Sequence, residues 1–272
     1  MTGRSEWPEA STRPSRKRKW LRWLLIGLVF LLLAGSTTAA GARTWQDNSN
    51  DLPGENFPYD SAPWDPPEIP RRAMLVGDSL VGQSSAVAMA LGASRAHEIK
   101  VKALSGGAPC DFFDSYGRDA VAFNPSQVVI SYVGNATTAC MVQAQGFIPP
   151  GVLSQAQIDK IVAVYYWHTR ALVEWNVAMG IRTWLEAPPI MAPGTWHGQV
   201  NAGIVAVYKR LAVENPETFY DQTGRMLLSN NGQFTWKDAA GHPLRYKDGT
   251  HLMGTYGTTA HAEGMLAGIV TP

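Results

Sequence analysis

Cysteine is scarce in this chain, with only Cys110 and Cys140 among 272 residues. Two thiols cannot complete a structural zinc site, and no Cys-x-x-Cys or His-x-x-x-His spacing supplies further ligands. No metal and no cofactor is therefore expected. Charge is also sparse, at 17% against 45% hydrophobic, which excludes an intrinsically disordered chain. Internal repeats and low-complexity tracts are absent from residue 71 onward. A basic surface is missing too. Residues 1–22 hold seven cations (Arg4, Arg13, Arg16, Lys17, Arg18, Lys19, Arg22) against Glu6 and Glu9, a surplus of five, while the whole chain nets +1. The remainder is thus acidic by four charges, which argues against nucleic acid as a partner.

The basic segment leads into an apolar one. No charged residue lies between Arg22 and Arg43, and the run opens Trp23-Leu24-Leu25-Ile26-Gly27-Leu28-Val29-Phe30. Twenty uncharged residues span a bilayer at about 1.5 Å each. The positive flank places the N-terminus in the cytoplasm and the rest of the chain outside, as a single-pass membrane protein. A cleaved signal peptide ending near Ala40-Gly41-Ala42 is the competing reading, and either one exports the body of the protein. In an oxidising compartment, Cys110 and Cys140 are expected to pair as a disulfide. Residues 43–70 carry Pro53, Pro58, Pro63, Pro66, Pro67 and Pro70 and read as a semi-stiff linker. The organisation expected is a basic tail over 1–22, an anchor or signal segment over 23–42, a linker over 43–70 and a folded domain over 71–272.

Within that domain strand and helix patterns alternate. Strands are expected at 73–77, 99–104, 127–133, 181–187 and 218–221. Helices are expected at 84–94, 111–122, 154–179, 199–214 and 255–269. Residues 137–153 read as a loop and 222–247 as irregular. The 127–133 run, Gln-Val-Val-Ile-Ser-Tyr-Val, is nearly all apolar, as a buried parallel strand should be. Ser154-x-x-Gln157 has capping-box spacing. Such alternation implies an α/β fold, a parallel five-stranded sheet with helices on both faces and ligands at the carboxyl ends of its strands.

Four polar motifs fall at those ends or before the last helix. Gly77-Asp78-Ser79-Leu80 follows the first strand and Gly106-Gly107 the second. Gly134-Asn135 follows the third, and Asp248-Gly249-Thr250-His251 precedes the closing helix. A serine hydroxyl needs a base to take its proton, and a histidine held by an aspartate supplies one. Ser79, His251 and Asp248 fit those parts. Developing oxyanion charge needs donors, for which the N–H groups of Ser79 and of Gly106 or Gly107, with the Asn135 amide, are candidates. Each residue also has a plainer reading: a turn at Gly106-Gly107, an Asx turn at Asn135, a turn or helix cap at Asp248, a core histidine at His251. Their conjunction in chain order is what points to chemistry. Asp78 reads as a turn and helix-cap residue. His97, His168, His197, His242 and His261 show no ligand spacing and read as surface or structural. Trp167, Trp175 and Trp184 read as core, while Trp196 and Trp236 fall in irregular segments near the open edge.

The ordered set Gly77-Asp78-Ser79-Leu80, Gly107, Asn135 and Asp248-x-x-His251 resembles the GDSL/SGNH hydrolase family over roughly the last 200 residues. The resemblance implies a flavodoxin-like three-layer α/β/α sandwich and cleavage or transfer of ester-linked acyl groups. It makes Ser79 the nucleophile, His251 the base and Asp248 its partner, with the Ser79 amide, Gly107 and Asn135 as oxyanion hole. The third motif departs from the family's Gly-x-Asn-Asp, since here Val133-Gly134-Asn135-Ala136 sets glycine beside asparagine. The domain also resembles SGNH portions attached to membrane acyltransferases that modify envelope glycans. The expectation is an extracytoplasmic esterase or O-acyltransferase on an acylated cell-envelope polysaccharide, with a membrane acyltransferase as a partner. A lipase or thioesterase acting on lipid, or a catalytically silent glycan- or protein-binding module, are the alternatives.

Overall fold

The computed structural model describes residues 71–95 and 97–270. The tail, apolar segment and linker expected over 1–70 lie outside those residues. Among the described residues no helix is long and apolar enough to cross a membrane.

Five strands build one parallel sheet: β1 (Arg71–Gly77), β2 (His97–Ala103), β3 (Gln127–Ser131), β4 (Arg182–Glu186) and β5 (Thr218–Asp221). Their spatial order is β2-β1-β3-β4-β5. Successive side chains of β1 point to opposite faces, as strand geometry requires. Met74 and Val76 join Val128 and Ile130 in one core with α2 (Phe113–Phe123), α4 (Gln155–Ala178) and α5 (Trp196–Glu214). Ala73, Leu75 and Val129 join the other, with α1 (Ser79–Ser94) and α7 (Gly254–Val270). The result is the expected three-layer sandwich. Chain order steps from β1 to β2 on one side and on to β3 across the other, so β1 and β3 flank a topological switch point, where sheets of this kind bind ligands.

Local chemistry sets the element ends. Asp78 caps α1, its Oδ1 accepting the Leu80 N–H at 3.0 Å. The helix therefore starts at Ser79, five residues before the small-residue pattern suggested. Gly77 admits this tight entry, since a Cβ there would collide with the Ser131 carbonyl and the Val81 side chain. Strand β3 ends at Ser131 rather than at 133 because side chains take the next two amide hydrogens. Tyr132 N–H goes to Tyr208 Oη (3.1 Å) and Val133 N–H to Asp78 Oδ2 (2.7 Å). The capping box at Ser154 and Gln157 opens α4 as its spacing suggested.

Three readings need correction. The loop expected over 137–153 contains a short helix, α3 (Ala139–Gln145), capped by Thr138 and burying Met141 and Gln145. The irregular stretch after residue 221 holds α6 (Thr223–Leu227) and a small hairpin, β6 (Ser229–Asn230) with β7 (Gln233–Phe234). Trp167 is not core. Tyr166 takes the inward position, and Trp167, the next residue round the helix, is 60% exposed beneath the Arg170 guanidinium. Trp175 and Trp184 pack against the two cores as expected. Cys110 and Cys140 form the expected disulfide, with Cα atoms 6.2 Å apart.

Candidate active site

The carboxyl ends of β1 and β3 and the turn before α7 bring the sequence motifs together. Ser79, the first residue of α1, places its Oγ 3.2 Å from His251 Nε2. His251 Nδ1 lies 2.8 Å from Asp248 Oδ2. The other Asp248 oxygen accepts the Thr250 and His251 backbone N–H groups, each at 2.9 Å. Partial burial works to raise the Asp248 carboxyl, but those two amides and the His251 ring outweigh it and hold it below the usual carboxylate range. The turn that carries His251 is fastened from three sides. Arg245 Nη1 donates to Thr250 O (2.8 Å), Ala192 N–H to Gly249 O (3.1 Å), and Leu252 N–H to Gln83 Oε1 on α1 (3.1 Å). Gln83 sits one turn beyond Ser79, so a single helix holds both the hydroxyl and the loop bearing the imidazole.

The expected oxyanion donors are arranged differently from the simplest picture. Gly107 N–H donates to Leu104 O (2.9 Å) within its own turn, so it does not face the site as a free donor. Gly107 contributes its carbonyl instead, which accepts from Asn135 Nδ2 at 3.0 Å. The second Nδ2 contact of Asn135 is Asp78 Oδ2, at 3.2 Å. Both amide hydrogens of Asn135 therefore have protein acceptors, and the N–H of Ser79, at the start of α1, is the readiest donor. The backbone of Asn135 is held from below, where Tyr165 donates its hydroxyl to Asn135 O at 2.9 Å. Gly134 accounts for the departure in the third motif. Its φ of +101° is a glycine conformation, and a Cβ would lie 2.7 Å from Val200.

Asp78 does more than cap α1. It is fully buried and accepts from Leu80 N, Val133 N and Asn135 Nδ2. Burial pushes its carboxyl up to about 6, against the pull of the Val133 and Leu80 amides. His197 is no bystander either. Its Nε2 lies 2.9 Å from Asn135 Oδ1 and its Nδ1 is 3.4 Å from Thr250 Oγ1, so it touches two of the four motifs. No spacing rule marks His197. Its one local signal is its place in the first turn of α5, past the carboxyl end of β4. His261 is structural, buried between α1 and α7 with Nδ1 against Ser84 Oγ at 3.0 Å. Burial pushes it down to about 3. Trp196 packs at a tilt on the His197 ring with centroids 4.1 Å apart, and Trp236 packs edge-on against Phe234.

No family model and no curated protein matches the chain. Solved structures do. A variant of an acetyl-xylooligosaccharide esterase from Geobacillus stearothermophilus aligns with a TM-score of 0.52 at 17% identity, over 73% of this chain and 94% of that one. A lipase/acylhydrolase from Enterococcus faecalis aligns at 0.51 and 14% identity, over 74% and 95%. A G-D-S-L family protein from Desulfitobacterium hafniense aligns at 0.51 and 15%, over 74% and 99%. At these identities the likeness is one of fold, and the fold is that of GDSL-type acylhydrolases and esterases.

Proposed function

We propose that this chain is a serine esterase of the GDSL/SGNH type. The observation that carries the reading is the line of contacts from Ser79 Oγ through the His251 ring to Asp248, set at the switch point of the sheet. Ser79 Oγ attacks the carbonyl carbon of an ester as its proton passes to His251 Nε2. Asp248 holds the Nδ1–H and stabilises the imidazolium that forms. Negative charge on the former carbonyl oxygen is met by the Ser79 N–H and by an Asn135 amide hydrogen shared with Asp78. Collapse breaks the bond to the alcohol, which leaves with the proton from His251, and Ser79 retains the acyl group. Water, or the hydroxyl of an acceptor, then gives its proton to His251 as it attacks the acyl carbon, and His251 returns that proton to Ser79 Oγ as the bond to the acyl group breaks.

The substrate class we infer is an O-acylated glycan of the cell envelope, met outside the membrane. Three features support it. The triad is open, with Asp248 and His251 side chains 48% and 40% exposed, which suits an ester on a bulky polymer. Tyr246, whose N–H donates to His251 O, and Trp236, whose carbonyl accepts from Leu244 N–H, are each 46% exposed and can meet sugar rings. The disulfide and the charge-free stretch over 23–42 suit an exported protein held at a membrane. Transfer to a glycan hydroxyl, beside a membrane acyltransferase that supplies acyl groups, is the same chemistry with a different acceptor.

A fluorophosphonate probe tests the nucleophile. Labelling is expected to vanish in Ser79→Ala and to fall sharply in His251→Ala. Folded protein that takes no label would sink the assignment. Acylated polyol formed from p-nitrophenyl acetate, followed by mass spectrometry, separates transfer from hydrolysis.

A further inference from the structure

We propose that His197 is a positioning residue for this reaction, fixing the Asn135 side chain so that one of its amide hydrogens can be given to the oxyanion. The inference rests on the reading of Ser79 as nucleophile and extends it to a histidine outside the triad.

Which atoms can donate fixes the orientation of the Asn135 amide. Gly107 O can only accept, so the Asn135 atom beside it, at 3.0 Å, must be the NH2 group. Oδ1 therefore faces His197, and His197 Nε2, 2.9 Å away, must carry a hydrogen. The second ring nitrogen then accepts from the Thr250 hydroxyl across a longer 3.4 Å. This describes a neutral ring of one tautomer. Burial pushes His197 down to about 4, with nearby His251 adding to the effect, so the ring stays neutral through the physiological range. Trp196 packs on the same ring, tilted by 31° with centroids 4.1 Å apart.

Asn135 is thus pinned at two points, Oδ1 by His197 and one amide hydrogen by Gly107. The remaining contact, to Asp78 Oδ2 at 3.2 Å, is the longest of the three, and Asp78 Oδ2 already takes the Val133 N–H at 2.7 Å. The hydrogen on Asp78 is therefore the most weakly held, and the one that a developing oxyanion beside it can share without the amide moving. Without His197 the buried Oδ1 loses its donor, and the amide is held only on its NH2 side, by Gly107 O and the longer contact to Asp78. Through Thr250, the same imidazole ties this arrangement to the turn that presents His251.

The test compares His197→Phe with His197→Gln, using p-nitrophenyl acetate turnover and fluorophosphonate labelling. Phenylalanine keeps a ring against Trp196 but donates nothing. Glutamine places an N–H near the original Nε2. For His197→Phe, kcat is expected to fall by about 10- to 100-fold, short of the loss seen when an oxyanion donor is removed outright. KM should stay near the wild-type value and the labelling rate should fall in parallel, while His197→Gln recovers most of kcat. Wild-type kcat in His197→Phe, a loss confined to KM, or a glutamine variant no better than phenylalanine would overturn the proposal. If His197→Phe lacks a native circular dichroism spectrum, His197→Asn takes its place, since its amide stops one methylene short of Oδ1. Labelling that persists in Ser79→Ala overturns the nucleophile itself, whatever the His197 variants do.

Discussion

Removing the disulfide tests the fold and the site together. Cys110 lies in the 3₁₀ turn Pro109–Phe112, three residues past Gly107, and Cys140 lies in the first turn of α3, five past Asn135. The bridge therefore joins the two loops that meet at the Gly107 O to Asn135 Nδ2 contact. With a sequence separation of 30, loop-closure entropy assigns it about 3.6 kcal/mol at 25 °C. At an m-value near 2 kcal/mol/M, the urea midpoint of Cys110→Ala/Cys140→Ala should fall by about 1.8 M. For a domain near 200 residues, the thermal midpoint should fall by roughly 7–14 °C. The assay is paired urea melts of wild type and double variant, with free-thiol titration showing that the wild type starts oxidised. Activity should drop at urea concentrations where both proteins remain folded, because the loops holding Asn135 are no longer tied. A midpoint at the wild-type value, with m unchanged, would refute the loop-closure reasoning. A larger m in the double variant would report the more expanded unfolded chain that loop closure implies.

Other perturbations reach different parts of the site and core. Asp248→Asn can keep its turn bonds through Oδ1 but sets an NH2 group against His251 Nδ1, favouring the tautomer that cannot take the serine proton. Steady-state kinetics should show kcat falling by roughly 10²–10⁴, toward the lower end for so exposed a carboxylate, with KM little changed. Gly134→Ala forces a Cβ toward Val200 at a φ that suits glycine and should cost about 2–4 kcal/mol in urea unfolding, along with activity from the displaced Asn135. Glu186 is buried, with Oε2 unpartnered. Burial, then Asp221, pushes its carboxyl up from 4.5 to about 8. A raised carboxyl contributes stability that is full below about 4.5 and is lost as pH rises through 8. Glu186→Gln keeps an acceptor for Gly224 N–H, so its stability relative to wild type should climb across that window by a few kcal/mol, read as unfolding midpoints at pH 5 and pH 8.5.

The sheet and the triad were legible because their signals are local. Each buried strand is a short apolar run, and Gly77-Asp78-Ser79 and Asp248-x-x-His251 each need only a few adjacent residues to declare themselves. What was not legible depends on partners far apart in the chain. The acceptors of Asn135 and the donor to it come from residues 28, 57 and 62 positions away, so nothing near Asn135 or His197 announces the contact. Gly107 looked like a donor because a glycine after a strand can turn its amide outward. Here the turn closes on Leu104 O and turns it inward. The α3 helix has only seven residues, too few for a 3.6-residue period to show, and it is held by its Thr138 cap and the disulfide.

Asp78 shows why the site takes this form. A carboxyl pushed up to about 6 from 3.8 by burial is stabilising below about 3.8 and progressively less so as pH rises through 6. At neutral pH the buried charge costs on the order of 3 kcal/mol, at about 1.4 kcal/mol per pKa unit. A neutral residue would avoid that cost but could not do the same job. Three N–H groups converge on this side chain, Leu80 on one oxygen, Val133 and Asn135 on the other. Asparagine offers one acceptor oxygen and would turn its own NH2 group toward at least one of those donors. Only an ionised carboxylate accepts from both directions, and in doing so it starts α1 at Ser79, stops the β3 ladder at Ser131 and holds an amide hydrogen of Asn135. The stability given up at Asp78 thus keeps Ser79 and Asn135 in fixed relation across the β1–β3 switch point.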